Sequence, residues 1–153
     1  MISLQNQSFH RFNIIDTIMT RYKFIDCDFR GARTRSSLIR NVIFESCSMA
    51  TSQFLNCILT NVTFQENILT GATFENVTFS NVTFHETYMP ASKFSNCNFI
   101  NCSFINPELK KSHFDCCNFI DSVLKSLDSI IFENCYSNSN SSIGISLYKI
   151  GSM

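Results

Sequence analysis

The sequence predicts an all-β solenoid, and three observations predict it. A large apolar residue returns at every fifth position from Leu4 to Leu124: of the 25 positions in that register only Thr34 is not large and apolar, and 14 of the 16 phenylalanines fall in it. The position two before each is mostly small, as at Cys27, Ala32, Val42, Ser52, Ala72 and Val82, and the other three of each five are mainly polar. A period of five fits neither a helix, at about 3.6, nor a strand, at about 2, so no local template explains it. The repeat must come from tertiary winding, in which each unit buries its apolar residues against the units above and below.

The stretch VIFESCSMATSQFLNCILTNVTFQENILTGATFENVTFSNVTFHETYMPASKFSNCNFINCSF, residues 42 to 104, keeps the pattern without a skip. With a central Leu or Phe, a small residue two before it and polar residues elsewhere, the chain resembles the pentapeptide-repeat family over residues 2 to 126. The resemblance implies a right-handed quadrilateral β-helix with four pentapeptides to a square coil. Residues 20 apart should then stack, and they are alike: YKFID at 22 to 26, VIFES at 42 to 46, VTFQE at 62 to 66, VTFHE at 82 to 86 and CSFIN at 102 to 106. With strands about 4.8 Å apart along the stack, about six coils make a rod about 30 Å long.

Composition agrees with one domain, since 153 residues at 44% hydrophobic content suffice for one continuous core. Twelve basic and twelve acidic residues leave no bulk charge that argues for direct nucleic-acid or membrane binding. The start, MISLQNQSFHRF, lacks the basic end and long apolar core of a signal peptide, and no apolar run is long enough for a membrane span. A cytoplasmic protein is expected, with export by a specialised secretion system as the other route.

Along the chain, the first coil is irregular, with Gln7, Phe12 and Tyr22 where small residues belong, and reads as an N-terminal cap. Residues 30 to 40, RGARTRSSLIR, hold the one break in register and four arginines, Arg30, Arg33, Arg35 and Arg40. They read either as a site for an anion or acidic partner, because a guanidinium is a planar fork suited to carboxylate or phosphate, or as a solvated belt. Asn41, Asn61, Asn81 and Asn101 should form one corner column, with Asn56, Asn76 and Asn96 in another, their amides bonded up the stack. Asp26, Glu66 and Glu86 share an outward column, with Glu45 near it on the same side.

Pro107, in a small-residue slot, predicts a bulge or loop, because proline removes a ladder donor. After Leu124 the period stops, and Leu124, Leu127, Ile130 and Ile131 in LKSLDSIIFENCY have helical spacing. The expected domains are therefore a β-helix over 1–126, a short C-terminal helical cap over 127–136, and a flexible linker and tail over 137–153. ISLYKIGSM, within that tail, alternates apolar and polar residues and suggests a docking strand, a contact in a homodimer or a frayed end.

Six of the eight cysteines, Cys27, Cys47, Cys57, Cys97, Cys102 and Cys117, take the small inward position and read as reduced spacers. GxSxG, HExxH and a phosphate-binding Gly-rich loop are all absent, so neither catalysis nor a cofactor is expected. The expectation is a non-enzymatic interaction scaffold that presents flat sides to a protein partner, of the kind carried by bacterial effectors. The family resemblance implies two other readings. Some members are thought to imitate duplex DNA and bind type II topoisomerases such as DNA gyrase or topoisomerase IV, which assigns the contact to Asp26, Glu45, Glu66 and Glu86. The run FSNCNFINCSF is also similar to the luminal domain of synaptic vesicle glycoprotein 2, which implies an extracellular or luminal recognition module.

Overall fold

The computed structural model describes residues 1–126 and 128–144. The chain winds as a parallel β-solenoid of four sides. Side 1 is centred on Leu4, the Phe24 to Phe104 series, Leu124 and Ile143; side 2 on Phe9, Phe29, Met49, Leu69, Met89 and Leu109. Side 3 is centred on Ile14, Thr34, Phe54, Phe74, Phe94, Phe114 and Phe132; side 4 on Met19, Ile39, Leu59, Phe79, Phe99 and Phe119. Leu4 to Ile143 is seven turns, one more than the period alone indicates.

The five-residue period arises from the corners. At the second residue after each central position from Leu4 to Phe119, and again after Phe132, the backbone takes a left-handed φ, which turns the chain through the corner; Asp26, Asn41, Asn56 and Glu66 are examples, at 52, 54, 55 and 53°. The central residue and the small residue two before it point inward, and the other three point out. Sides 4 and 1 form one 13-stranded sheet, because Leu38–Glu45 and Ile58–Gln65 run unbroken through the Asn41 and Asn61 corner; side 3 is a separate seven-stranded sheet. Side 2 holds only single bridges, from Ser8 through Asp28, Ser48, Ile68 and Tyr88 to Glu108.

Phenylalanine rings fill the interior in nearly parallel stacks one coil apart, with centroids 4.9 Å apart for Phe64–Phe84, 4.5 Å for Phe94–Phe114 and 4.7 Å for Phe79–Phe99. Rings from different sides meet edge-on, as Phe74 does with Phe84 at 88°, so the core uses both favoured aromatic geometries. Asparagine amides bond up the corners: Asn61 donates to Asn41 and Asn81 to Asn61, each at 3.2 Å, and Asn76 to Asn56 at 3.2 Å. Asn67, in an inward slot, is fully buried; its Oδ1 accepts from the Cys47 amide at 2.8 Å and its Nδ2 donates to the Phe44 carbonyl at 2.9 Å.

Three local expectations change. Pro107 makes no bulge: it is buried in its slot, and Glu108 keeps register by donating to the Thr87 carbonyl at 2.9 Å. On side 2 the amide of a slot residue takes no ladder bond, and that of Cys47 is served by the Asn67 side chain, so proline forfeits none there.

The C-terminal helix does not form. Ile131–Glu133 pairs with His113–Asp115 at an offset of 18 residues, Phe132 stacks on Phe114 at 5.2 Å, and Ile130 is buried while Ile131 is half exposed. A strand satisfies the open ladder edge of the sixth coil, which a helix laid across it would leave unpaired. The seventh coil is shortened on side 2, where the Asp128 carboxylate accepts from the Leu109 amide at 2.6 Å.

Of the expected linker and tail, Ser137 and Ser142–Ile143 instead pair with the sixth coil and the start of the seventh. Asn138 Oδ1 accepts from the Asp121 amide and Ser141 Oγ from the Ser122 amide, both at 3.0 Å, which caps the sixth coil with side chains. The tail proposed for dimer contact, 145–153, lies outside the described residues, as does Leu127. At the other end the first coil is built like the rest, with Ile2–Gln5 paired to Tyr22–Ile25. Its inward Leu4, Phe9 and Met19 are partly buried, and Phe12, too large for its slot, is 54% exposed.

Candidate partner-binding edges

Outward residues fall into columns because the offset between the first six coils is a constant twenty residues, so the rod sorts its charges by edge. At the edge between sides 1 and 2, Asp26, Ser46, Glu66 and Glu86 stack at one corner, each amide bonded to the next coil; those of Glu66 and Glu86 reach the His85 and Ile105 carbonyls at 2.9 and 2.8 Å. This is the acidic column expected from the sequence, and Glu66 and Glu86 are exposed and in no ion pair among the described residues. Glu45 lies beside it but is bound to Lys23 Nζ at 2.8 Å, so its charge is compensated within the chain.

Asp28 and Glu108, on side 2, widen the acidic edge, and were missed because they precede the central residue rather than follow it. Counting in steps of twenty from Ser8 would have placed them. Arg30 holds Asp28 with Nε at 2.9 Å and Nη2 at 2.8 Å, and its own amide adds a bond at 3.0 Å. These bonds keep the Asp28 carboxyl well below the usual carboxylate range.

The four arginines of residues 30 to 40 do not converge. They circle one coil, with Arg30 on side 2, Arg33 and Arg35 on side 3 and Arg40 on side 4. Arg33 instead joins the cations of neighbouring coils at the edge between sides 2 and 3. Between the acidic edge and that one, side 2 exposes Ile68 and Tyr88 at 46% each.

Seven cysteines are buried, none is bridged, and Cys116 alone is exposed. Burial pushes the Cys47 thiol up to about 12 and the Cys102 thiol up to about 11, so neither is a nucleophile at neutral pH. Cys135 belongs to this set although the sequence period had ended before it. Among the described residues no three His, Cys, Asp or Glu side chains gather as a metal ion would require.

A four-sided parallel coil with five-residue sides, buried small and large residues in alternation and left-handed corners defines a class. The sequence profile of the pentapeptide repeat region matches residues 2–74 and 17–94, together more than half of the chain, and the protein belongs to the pentapeptide-repeat family. A trypsin-treated form of QnrB1, a plasmid-mediated fluoroquinolone resistance protein, is similar in structure at 14% identity and TM-score 0.50, covering 98% of this chain and 88% of that one. The pentapeptide-repeat protein Rfr23 from the cyanobacterium Cyanothece 51142 is similar at 10% identity and TM-score 0.51, covering 79% and 90%. Identities this low speak to the fold alone. No curated protein matches the sequence.

Proposed function

We propose that this protein is a non-enzymatic scaffold that binds a protein partner along the acidic edge of its rod. The observation that carries the reading is the placement of Glu66 and Glu86 at φ 53 and 52°, a corner conformation for which the rod uses Asn more often than any other residue. A left-handed φ costs an ordinary L-residue about 1 kcal/mol, and Asn tolerates it better. Carboxylates held where the backbone disfavours them point to selection for surface chemistry rather than for stability. Membership of the pentapeptide-repeat family supports the scaffold reading. Seven buried, unbridged cysteines support action in a reducing compartment, the cytoplasm.

The same column favours a second, narrower reading, in which the partner is a type II topoisomerase, DNA gyrase or topoisomerase IV, and the carboxylate row stands in for a row of phosphates. Capture from bacterial lysate, with purified gyrase and topoisomerase IV as separate arms, compares the wild type with Glu66→Lys/Glu86→Lys. A topoisomerase retained by the wild type alone supports the narrower reading. Another protein lost on charge reversal supports the scaffold without it. Equal recovery by both proteins sets the acidic edge aside.

A further inference from the structure

The edge between sides 2 and 3 has the opposite character. Three outward columns meet there, and none contains a carboxylate. Its cations fall into two groups: His10, Arg11, Arg30 and Arg33 on the first two coils, and Lys93, Lys110, Lys111 and His113 on the fifth and sixth. Arg30 is committed to Asp28, and His113 lies 3.6 Å from Glu133. Arg11, Arg33, Lys93, Lys110 and Lys111 make no ion pair among the described residues.

The intervening coils are uncharged and low, with Thr51, Gln53, Gly71 and Thr73 facing out. At the N-terminal group the edge is notched. Gly31, at φ +67°, stands in the column between Arg11 and Thr51, and a Cβ there would come within 3.3 Å of Arg11 Cγ. Arg11, Asn13, Arg33 and Gln53 line this groove with Gly31 and Thr51, so two arginines and two side-chain amides border one space.

We infer that this edge docks an extended acidic polypeptide lying along the rod axis, with one acidic cluster at the Arg11–Gly31–Arg33 notch and a second at Lys93, Lys110 and Lys111. From Arg33 to Lys93 is three ladder steps, about 14 Å, which an extended chain covers in about four residues. The ligand is thus two groups of Asp or Glu separated by about four uncharged residues. Carboxylates suit the guanidinium fork, and the flat middle admits a backbone without a clash.

A nucleic acid fits less well, since its evenly spaced phosphates would cross two uncharged coils, and the exposed phenyl ring beside the edge cations, Phe12 next to Arg11, sits on the first coil, away from the second cationic group. A second copy fits less well too. In parallel register its Glu66 falls opposite an uncharged coil and only Glu86 shares a coil with an edge cation, Lys93, and a side about 30 Å by 14 Å buries about half the usual 800 Å² per partner. The inference rests on the scaffold reading for its class but not on the acidic edge.

The test is fluorescence anisotropy with a labelled peptide carrying three acidic residues, four Gly/Ser residues and three acidic residues. The wild type should bind it more tightly than a peptide with the six acidic residues contiguous, and less tightly as salt rises. Arg11→Ala/Arg33→Ala and Lys110→Ala/Lys111→Ala should each weaken binding about fivefold or more, and all four together should remove it; all are exposed, and circular dichroism checks the fold. Unchanged affinity in these variants overturns the inference, as does an oligothymidylate of equal charge binding as tightly, or self-association that blocks the edge. Absence of peptide binding overturns it as well, while capture of a partner through Glu66 and Glu86 can still succeed, so the two readings fail separately.

Discussion

Replacing Glu66 and Glu86 by asparagine should stabilise the rod while removing its acidic edge. Both residues hold a left-handed φ, 53 and 52°, nearly the value of Asn61 and Asn81 at 53°. Relief of the backbone penalty is worth about 0.5–1 kcal/mol per site. The new amides would also stand one coil apart below Asn106, in the geometry by which Asn81 donates to Asn61 at 3.2 Å. An exposed hydrogen bond of that kind adds a few tenths of a kcal/mol. The double variant should therefore gain about 2 kcal/mol, which for a chain of this size raises the melting temperature by about 4–8 °C. Thermal unfolding followed by circular dichroism measures it, with Asn61→Glu as the reverse control, expected to lose about 1 kcal/mol. A double variant that melts at or below the wild type refutes the argument that the acidic corner carries backbone strain, and removes the main support for its functional use.

Other outcomes follow from the packing. Thr34, buried under a small cavity lined by Ile14, Phe29, Ile39, Phe44 and Phe54, is the one polar break in the core register, so Thr34→Leu should stabilise by about 1 kcal/mol in a denaturant titration. Phe84→Ala, in the middle of a ring stack and fully buried, should cost about 3–5 kcal/mol by the same measurement. The folded pKa of Asp28 lies below its ordinary value of 3.8, so its pairing with Arg30 contributes above that pH and is lost as pH falls further. Because the pair is largely exposed, Asp28→Asn should cost only about 0.5 kcal/mol at neutral pH and flatten the acid limb of the stability profile. In native protein a thiol reagent should label Cys116 alone, and all eight cysteines after unfolding.

The central residues and slots were legible because burial at a fixed period leaves its mark on residue type. Phe64, Val62 and Cys57 cannot be exchanged for charged residues without opening the core, so the period survives in the letters. Edges are less legible, because an outward residue is constrained only by its neighbours one coil away. The column of Asp26, Glu66 and Glu86 showed itself since it lies at a corner, whereas Asp28 and Glu108 were obscured by Ser48, Ile68 and Tyr88 in the same column. The C-terminal coil misled for another reason. Its side-2 segment is two residues short, which moved Phe132 out of register and made a strand resemble a helix. Once a ladder edge is available to pair with, tertiary context outweighs helical spacing in so short a segment.

The constant offset between the first six coils makes the length of this molecule a discrete variable. Among the described residues, ring stacks, amide columns and corner bonds alike join residues about one coil apart and none bridges distant coils, so they impose no closure condition that fixes how many coils the rod must have. A twenty-residue insertion between Thr51 and Gly71 would leave every local contact type intact and separate the two cationic groups by one further increment of about 4.8 Å. The protein is in this sense a molecular ruler, on which spacing between marks changes by whole divisions while the marks themselves stay unaltered.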